Sequence, residues 1–365
     1  MSATTPESKL QILIDKEIRK DVIHSVVLGV QSKDGKINFS GAAGFADAES
    51  RIAMTPESPY FIASITKMYT AAVLMKLVEQ GQIDLEAPVT AYLPDSLVDG
   101  IHVYQGTDYS RQIKVYQLVG QTSGLADYFE DRPKGGRSLL DNLKDGQDPE
   151  YDVHKVIETV RTLTPHFVPG TNGDSRAHYS DTNFQLLGAI IAAVTGQPVE
   201  TAFRTMLLEP LGLEGTYSYD YRNPRPGQQP AAIYNKTQAM HIPRTMTSFG
   251  PDGSMVSTAS ESLVFTRAFF DGELFDPVFL ERMMRRWNTV FFPMVQYGYG
   301  IMRFKMPRWM SPFQPQPELI GHAGSSNSFA FYCPEREIYI VGTLNQIDAP
   351  SRGFTFMYKA LNALK

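Results

Sequence analysis

The stretch FIASITKMYTAAVLMKLVEQGQIDL, residues 61–85, combines a strong helical pattern with two chemically notable side chains. Residues 66–80 show an apolar helical pattern, and Gly81 is a typical helix stop. Ser64 and Lys67 stand near the start, where helix N–H groups lack intrahelical acceptors. Positions three apart share a helix face, so these two side chains can meet. The pattern therefore predicts a hydroxyl and an amine side by side at the edge of an apolar helix.

A serine beside a lysine is one way to make a nucleophile. A serine hydroxyl reacts poorly unless a neighbouring base takes its proton, and a desolvated lysine can act as that base or as an orienting cation. The free N–H groups of the helix start favour a developing anion. About one Ser-x-x-Lys is expected by chance in a chain of this size, so the pattern needs support from other motifs.

Composition limits the classes of protein to consider. The chain has 365 residues, 42% hydrophobic and 20% charged, which is typical of a globular protein of one large domain or two intimately joined ones. A net charge of -5 without a basic run predicts no nucleic-acid partner. Cys333 is the single cysteine, so no intrachain disulfide can form. With neither a signal-peptide pattern nor a long apolar run, we expect a cytoplasmic protein without a membrane span.

Strand patterns cluster at the two ends of the chain. Residues 24–47 form two apolar runs around the Asp34-Gly35 turn, and 326–345 form a second such pair. Helical patterns fill the middle. Because strands need partners, we predict an α+β fold in which both chain ends form one antiparallel sheet flanked by helices. The predicted domains are an α/β unit of residues 1–62 and 285–365 and a mostly helical region, 63–284, with the active site at their seam.

The segment 291–319 is rich in aromatic residues, methionine and proline. One interpretation is core packing, with a strand over 297–304 followed by a proline-stiffened loop. The other is a pocket wall for an apolar substrate group, in which Trp309 is the candidate contact, with Phe313 in the same loop. The sequence leaves both interpretations open.

Two further motifs give the Ser-x-x-Lys pattern its context. In FVPGTNGDSRAHYSDTNFQLLGAII, Tyr179 stands just before an apolar helix, and in ELIGHAGSSNSFAFY, His322 and Gly324 stand just before a strand. Together with LVGQTSGLADY, DGSMVSTASE and YGYGIM, these motifs resemble the penicillin-recognising serine hydrolases. That family includes class C β-lactamases, D,D-carboxypeptidases, D-aminopeptidases and β-lactamase-like carboxylesterases. The resemblance extends over most of the chain and implies the β-lactamase/transpeptidase-like fold.

The resemblance also implies roles for individual residues. Ser64 matches the acylated nucleophile, Lys67 its activating partner, and Tyr179 the general base and acid. The HAG stretch, 322–324, is similar to the family's third motif, usually KTG. Backbone N–H groups of Ser64 and Ser325 would then form the oxyanion hole.

Two more positions are implied less directly by the resemblance. Tyr128 falls where the family often presents a side chain to the acyl group. Asn345 falls where some members contact a substrate carboxylate. Taken alone, Tyr179 would be expected to be a packing or capping residue, and His322 a polar residue whose hydrogen bonds are satisfied within the fold.

Departures from the family pattern favour some substrates over others. The second motif, usually Tyr-x-Asn, ends here in Asp181, whose carboxylate cannot donate a hydrogen bond to an acyl-amide carbonyl. Asp181 could pair with Lys67 or cap the helix beginning at Thr182. His322 replaces the lysine of KTG, and a histidine with a pKa of about 6.5 is only about one quarter charged at pH 7. A permanent cation for a β-lactam carboxylate is therefore missing, which favours uncharged esters. Some carboxypeptidases and aminopeptidases of the family that this chain resembles also have histidine here, so amide substrates stay open.

The sequence thus predicts a serine hydrolase acting through an acyl-enzyme. Patterns of other hydrolases, Gly-x-Ser-x-Gly and His-Glu-x-x-His, are absent, as is the Glu-x-x-x-Asn of class A β-lactamases. We expect a carboxylesterase for short-chain or aryl esters with weak β-lactam hydrolysis, no cofactor, no metal, and a small ester or amide as the partner. The alternatives are a β-lactamase, a D,D-carboxypeptidase or D-aminopeptidase, and a non-turnover β-lactam or peptidoglycan sensor. No signal for an oligomeric state is present.

Overall fold

Strands from both ends of the chain meet in one antiparallel sheet, as the sequence predicts. The computed structural model describes residues 5–310 and 315–364. The strands are β1 (Ser25–Ser32), β2 (Asn38–Asp47), β3 (Ile52–Ala53), β4 (Tyr60–Phe61), β5 (Val103–Tyr104), β6 (Thr107–Asp108), β7 (Tyr217–Ser218), β8 (Ile233–Asn235), β9 (Gln238–Met240), β10 (Met255–Ser257), β11 (Asn288–Thr289), β12 (Val295–Tyr297), β13 (Met302–Phe304), β14 (Leu319–Ala323), β15 (Phe329–Cys333) and β16 (Ile338–Thr343). Within the described residues, nine of these strands form the central sheet, in the order β11-β12-β13-β14-β15-β16-β1-β2-β3.

The two terminal hairpins pair with each other in the middle of this sheet. β1 pairs with β2 and β16, and Val27 lies opposite both Ala42 and Thr343. The turn between β1 and β2 contains Gly35 with a φ of 73°, a conformation that glycine adopts at little cost. β1 and β16 are almost continuously buried, because helices cover the sheet on both faces. The predicted fold class is therefore confirmed, whereas the exact domain boundaries remain a prediction.

The predicted single strand over 297–304 is wrong. The segment is a hairpin, in which the Gly298 N–H donates to the Ile301 carbonyl at 2.9 Å between β12 and β13. Gly300 has a φ of 70°, and a Cβ there would lie 2.2 Å from the Cβ of Ala71. Glycine thus allows the turn to rest directly on the helix that follows Ser64.

Helices pack against the sheet and are the main regular structure of the chain between β4 and β11. They are α1 (Pro6–Glu17), α2 (Thr66–Glu79), α3 (Asp95–Val98), α4 (Val115–Val119), α5 (Leu139–Lys144), α6 (Val153–Val160), α7 (Asp181–Thr195), α8 (Val199–Phe203), α9 (Glu209–Leu211), α10 (Pro243–Ser248), α11 (Ala259–Phe270), α12 (Pro277–Met284) and α13 (Arg352–Ala363), and a π-helical stretch, Arg204–Leu208, joins α8 to α9.

The helices α2 and α7 pack together and carry the first two motifs at their N-terminal ends. α2 is buried over nearly its whole length and ends before Gly81, and α7 ends at Gly196 in the left-handed conformation. A Cβ on Gly188 of α7 would lie 2.5 Å from Pro251, so glycine lets the 250–252 turn pack closely on α7. This packing brings residues that are far apart in sequence to one end of both helices.

Within 5–310 and 315–364, no single helix has the length and hydropathy needed to cross a bilayer. Only the segments Asp181–Thr195 and Val199–Leu211 meet that test, as a pair bent by 77°.

Candidate active site

Ser64 lies where β4 passes through a short 3-10 turn into α2. It is partly buried, whereas Lys67, one turn later, is completely buried. The Lys67 ammonium donates to Ser64 Oγ at 3.1 Å, so the predicted contact between these side chains is present. Ala63, directly before the serine, has a φ of 48°, a strained conformation for a residue with a Cβ. The chain thus turns sharply at the serine, and such strain often accompanies functional sites.

The Lys67 ammonium has a partner for each of its three protons. Besides Ser64, it donates to the backbone carbonyl of Asp252 at 2.8 Å and forms an ion pair with Asp181 Oδ1 at 2.7 Å. Burial lowers the pKa of Lys67, but the carboxylates of Asp181 and Asp252 more than offset this and raise it. Lys67 is therefore a cation in the resting site.

Asp181 contacts Lys67 and does not cap α7. It is the first residue of that helix, and Ser180 occupies the N-cap position without a capping side-chain bond. Of the two roles considered from the sequence, the structure thus places Asp181 in the ion pair. Its backbone N–H donates to the carboxylate of Asp127 at 2.9 Å, which fixes the start of the helix.

Tyr179 stands beside the serine and the lysine. Lys67 Nζ lies 5.3 Å from the centre of the Tyr179 ring. Burial raises the pKa of Tyr179 well above its usual value, and the negative charge of Asp181 adds to this effect. The tyrosine is thus a neutral phenol at rest, able to give a proton rather than to take one.

A second buried carboxyl group, Asp252, lies behind the lysine. Its Oδ2 accepts hydrogen bonds from the Tyr128 hydroxyl and from Gln185 Nε2, both at 2.8 Å. Burial, followed by repulsion from Asp181, raises the pKa of Asp252 to about 8. Tyr128, predicted to face the acyl group, is buried and holds Asp252 instead. Its placement indicates support of the site from behind.

The third motif lies on β14, directly against the first. A Cβ on Gly324 would be 2.2 Å from Ser328 Oγ and 2.8 Å from the Cβ of Ala63, so only glycine fits there. The Ser328 hydroxyl donates to the carbonyl of Ile62 at 2.8 Å, which ties the turn after β14 to the chain just before the nucleophile. The exposed Ser325 follows Gly324 in this turn, and its role in the oxyanion hole remains a proposal.

His322 is buried and uncharged. Burial, and then the positive charge of Lys67, lowers its pKa to about 3. Its Nδ1 lies 2.8 Å from the Ala323 carbonyl, an acceptor, so the proton resides on Nδ1. The free Nε2 therefore accepts from the hydroxyl of Tyr297 at 3.2 Å. The third motif consequently offers no cation to a substrate.

Tyr297 is the main site residue that sequence reasoning missed. It is fully buried, and its ring meets the Tyr179 ring edge-on at 5.6 Å between centroids. Its hydroxyl is the partner of His322 Nε2, so Tyr297 connects the third motif to Tyr179 of the second motif. Gln121 Oε1 accepts from the Ser180 N–H at 2.9 Å and so helps to hold the second motif in place. Only the position of Tyr297 within YGYG hinted at this role.

Two predicted residues lie apart from these contacts. Asn345 is buried, and its amide donates to Ser25 Oγ at 2.9 Å and accepts from Thr343 Oγ1 at 3.1 Å. These bonds occupy its side chain, so its placement does not support contact with a substrate carboxylate. Trp309 lies on a short 3-10 turn with 79% of its surface exposed, and Phe313 lies outside the described residues.

Among the exposed residues of the aromatic segment, Phe291 reaches the site, whereas Trp309 makes no ring contact with Tyr179. The Phe291 ring lies 5.0 Å from the Tyr179 ring, and 53% of the residue's surface remains exposed. A large apolar ring that touches the tyrosine yet faces solvent is suited to cover a bound substrate.

Comparisons with known proteins find similar sequences and similar folds. The beta-lactamase family model matches residues 13–363. Esterase EstB of Burkholderia gladioli is 27% identical over 58% of this chain and 52% of its own length, and the D-aminopeptidase of Brucella anthropi is 32% identical over 50% of this chain and 30% of its own. The chain therefore spans about half, or less, of these relatives. A D-stereospecific amidohydrolase from Streptomyces sp. aligns over 98% of both chains at 27% identity with a TM-score of 0.75.

Proposed function

The chain belongs to the beta-lactamase family, and we propose that it is a serine hydrolase that forms an acyl-enzyme on Ser64 and prefers short-chain or aryl esters. The contact of Ser64 with the buried Lys67, with Tyr179 alongside, supports the reaction class. Substrate preference at a site of this kind depends on the charges and hydrogen-bond donors that it presents to the rest of the substrate. In this protein the residues concerned are His322 and Asp181.

The observation that carries the ester preference is the buried, neutral His322. A β-lactam or a peptide with a free carboxylate needs a cation at the third motif, and a histidine whose pKa is about 3 supplies none at neutral pH. Asp181 is paired with Lys67 and has no N–H to offer an amide carbonyl. A neutral ester needs neither group.

Acylation can proceed by proton transfers among the residues in contact. Lys67 passes a proton to Asp181, which converts the buried ion pair into a neutral pair. The resulting amine takes the proton of Ser64 as Oγ attacks the ester carbonyl, and backbone N–H groups bind the oxyanion. Tyr179 then protonates the departing alkoxide and becomes a phenolate beside the Lys67 cation. Asp181 ends protonated, so protons and charges balance.

Deacylation reverses these roles. The Tyr179 phenolate takes a proton from water, which attacks the acyl group on Ser64. As the carboxylic acid leaves, Ser64 Oγ regains its proton from Lys67, and Lys67 recovers one from Asp181. In this scheme Asp181 carries one proton while the acyl-enzyme exists. The asparagine that is usual at this position in the family could not take up that proton.

Hydrolysis of D-amino-acid amides or peptides is the second candidate. It is favoured by the end-to-end similarity to a D-stereospecific amidohydrolase. The same nucleophile serves amides if Tyr179 can protonate a leaving amine. A β-lactamase activity and a slowly deacylating sensor remain weaker alternatives, because both call for a permanent cation that His322 does not provide.

A substrate panel tests the proposed preference. We expect kcat/KM for p-nitrophenyl butyrate to exceed that for nitrocefin and for D-phenylalanine amide by at least about 100-fold, because the nitrocefin carboxylate finds no cation at His322 and the amide carbonyl finds no N–H at Asp181. The measurement is initial-rate kinetics on all three substrates. His322→Lys should narrow the gap to nitrocefin. A higher kcat/KM for the D-amide would establish the amidase instead, and acyl-enzyme that persists for hours with nitrocefin would establish the sensor.

Acyl-length preference should depend on Phe291. We expect Phe291→Ala to lower kcat/KM for p-nitrophenyl butyrate relative to the acetate by about 5- to 30-fold, because one lost apolar contact is worth about 1 to 2 kcal/mol. The exposed Trp309→Ala is the matched control and should leave the butyrate-to-acetate ratio and the Tm nearly unchanged. A changed ratio in Trp309→Ala alone would restore Trp309 as the pocket wall.

A further inference from the structure

Asp131, His166 and His178 form a cluster that the proposed reaction does not use. His166 Nε2 lies 2.8 Å from Asp131 Oδ2, and His178 Nε2 lies 3.5 Å from the same oxygen. One ligand atom from each of the three side chains lies within 4.8 Å of the other two. Among the described residues, no other group of three histidine, cysteine or acidic side chains is arranged this way.

We propose that these three side chains form a binding site for a divalent transition metal of the zinc class. Imidazole and carboxylate are ligands that Zn²⁺ accepts, and three protein ligands with one open position make a complete tetrahedral site. With bonds of about 2.0 to 2.1 Å, tetrahedral ligands stand about 3.3 Å apart. The separations of 2.8 and 3.5 Å bracket that value, so small side-chain shifts would admit the ion.

One ligand nitrogen lacks a satisfactory partner. His178 Nε2 is buried from solvent and makes no hydrogen bond of good geometry within the described residues, although it faces the Asp131 carboxylate. A buried polar atom without a partner is destabilising, and a metal ion would remove that cost. The two imidazole rings stack at 3.4 Å with a tilt of 22° beside the same carboxylate, and a bound ion would require them to turn until both ring nitrogens point at it.

Hydrogen bonds hold all three ligand residues to the loop of residues 121–131. The His166 N–H donates to the Gly124 carbonyl at 2.8 Å, and the His178 N–H donates to the Gln121 carbonyl at 3.0 Å. Asp131 lies at the far end of the same 121–131 loop and accepts from the Asp127 N–H at 2.8 Å. The backbone positions of the ligand residues are thus fixed before any ion binds, which lowers the entropic cost of binding, and only the side chains have to turn.

Occupation of this site would brace the loop that carries the second motif. His178 directly precedes Tyr179, and Asp127, bonded to Asp131, also accepts the N–H of Asp181. A metal would therefore join the two backbone segments that position the tyrosine and the aspartate. We expect a bound metal ion to stabilise this loop and to change kcat of the proposed ester hydrolysis. Metal binding itself does not depend on the proposed hydrolysis; only the effect on turnover does.

The test uses Zn²⁺ alone as the probe on chelator-treated full-length protein. Isothermal titration should show one equivalent bound, with a Tm increase at saturation, and Co²⁺ should give the intense visible bands of a tetrahedral site. His166→Ala and Asp131→Asn should each weaken binding at least tenfold and abolish the Tm increase. His154→Ala, an exposed histidine on α6, is the matched control and should bind normally.

Circular dichroism distinguishes a lost ligand from a lost fold, and His166→Gln is a milder second variant. Absence of stoichiometric Zn²⁺ binding to the wild type would overturn the proposal and leave a hydrogen-bonded cluster only. Equal affinity in wild type, His166→Ala and Asp131→Asn would place the ion elsewhere and would overturn it as well. Because binding is measured without substrate, these outcomes are independent of whether the protein cleaves esters.

Discussion

Ser64→Ala should lower kcat/KM for p-nitrophenyl butyrate by at least about 10⁴-fold, since removing the nucleophile of a serine hydrolase removes nearly all covalent catalysis. The fold should persist, because the substitution keeps the Cβ and deletes one hydrogen bond, that to Lys67. We expect the free energy of unfolding to change by about 1 kcal/mol or less. The measurements are initial rates and thermal unfolding.

Covalent labelling makes this prediction specific to one serine. A p-nitrophenyl alkylphosphonate should add one mass equivalent to the wild type, and peptide mapping should place it on Ser64. Ser260→Ala, an exposed serine on α11, is the matched control and should be labelled and active like the wild type. Full labelling of Ser64→Ala, or a label on another serine, would contradict the proposed mechanism.

Lys67→Met should be both inactive and markedly destabilised. Lys67 is fully buried, and its removal leaves the Asp181 carboxylate without its counter-charge. Breaking a buried ion pair from one side typically costs about 3 to 5 kcal/mol. Activity should fall at least about a thousandfold, because the proton relay and the cation are lost together. Chemical denaturation and initial rates measure the two effects.

The carboxylate left behind is the expected cause of this loss of stability, because a buried charge without its partner is costly. Adding Asp181→Asn should restore stability at neutral pH but not activity.

Lys76→Met is the matched control for this experiment. Lys76 lies on the same helix, α2, and donates to the Leu274 carbonyl at 2.7 Å, but it contacts no catalytic residue. The substitution Lys76→Met should lower the free energy of unfolding only slightly and the rate of ester hydrolysis by no more than a few-fold. If Lys67→Met were as stable as Lys76→Met at neutral pH, the buried ion pair would not be the main contribution of Lys67 to the fold.

The helix after Ser64, the first hairpin and the order of the motifs could be predicted from the sequence alone. The helical period over 66–80, the stop at Gly81 and the Asp34-Gly35 turn are local signals, and α2 and the β1–β2 hairpin follow them closely. Such patterns work because a helix or a hairpin depends on neighbours a few residues away. The same locality explains why Ser64 and Lys67 could be paired from their spacing.

The tertiary structure decided what each side chain of the site contacts and which charge it carries. Asp181 had two local roles open to it, and only the packing of α7 against α2 put its carboxylate 2.7 Å from Lys67. His322 is neutral because it is buried near the Lys67 cation, a property that no spacing in the sequence encodes. Likewise, the hairpin turn at Gly300 depends on contact with Ala71, more than two hundred residues earlier. Burial and long-range contacts set these properties, because desolvation and Coulomb interactions depend on distance in space and not along the chain.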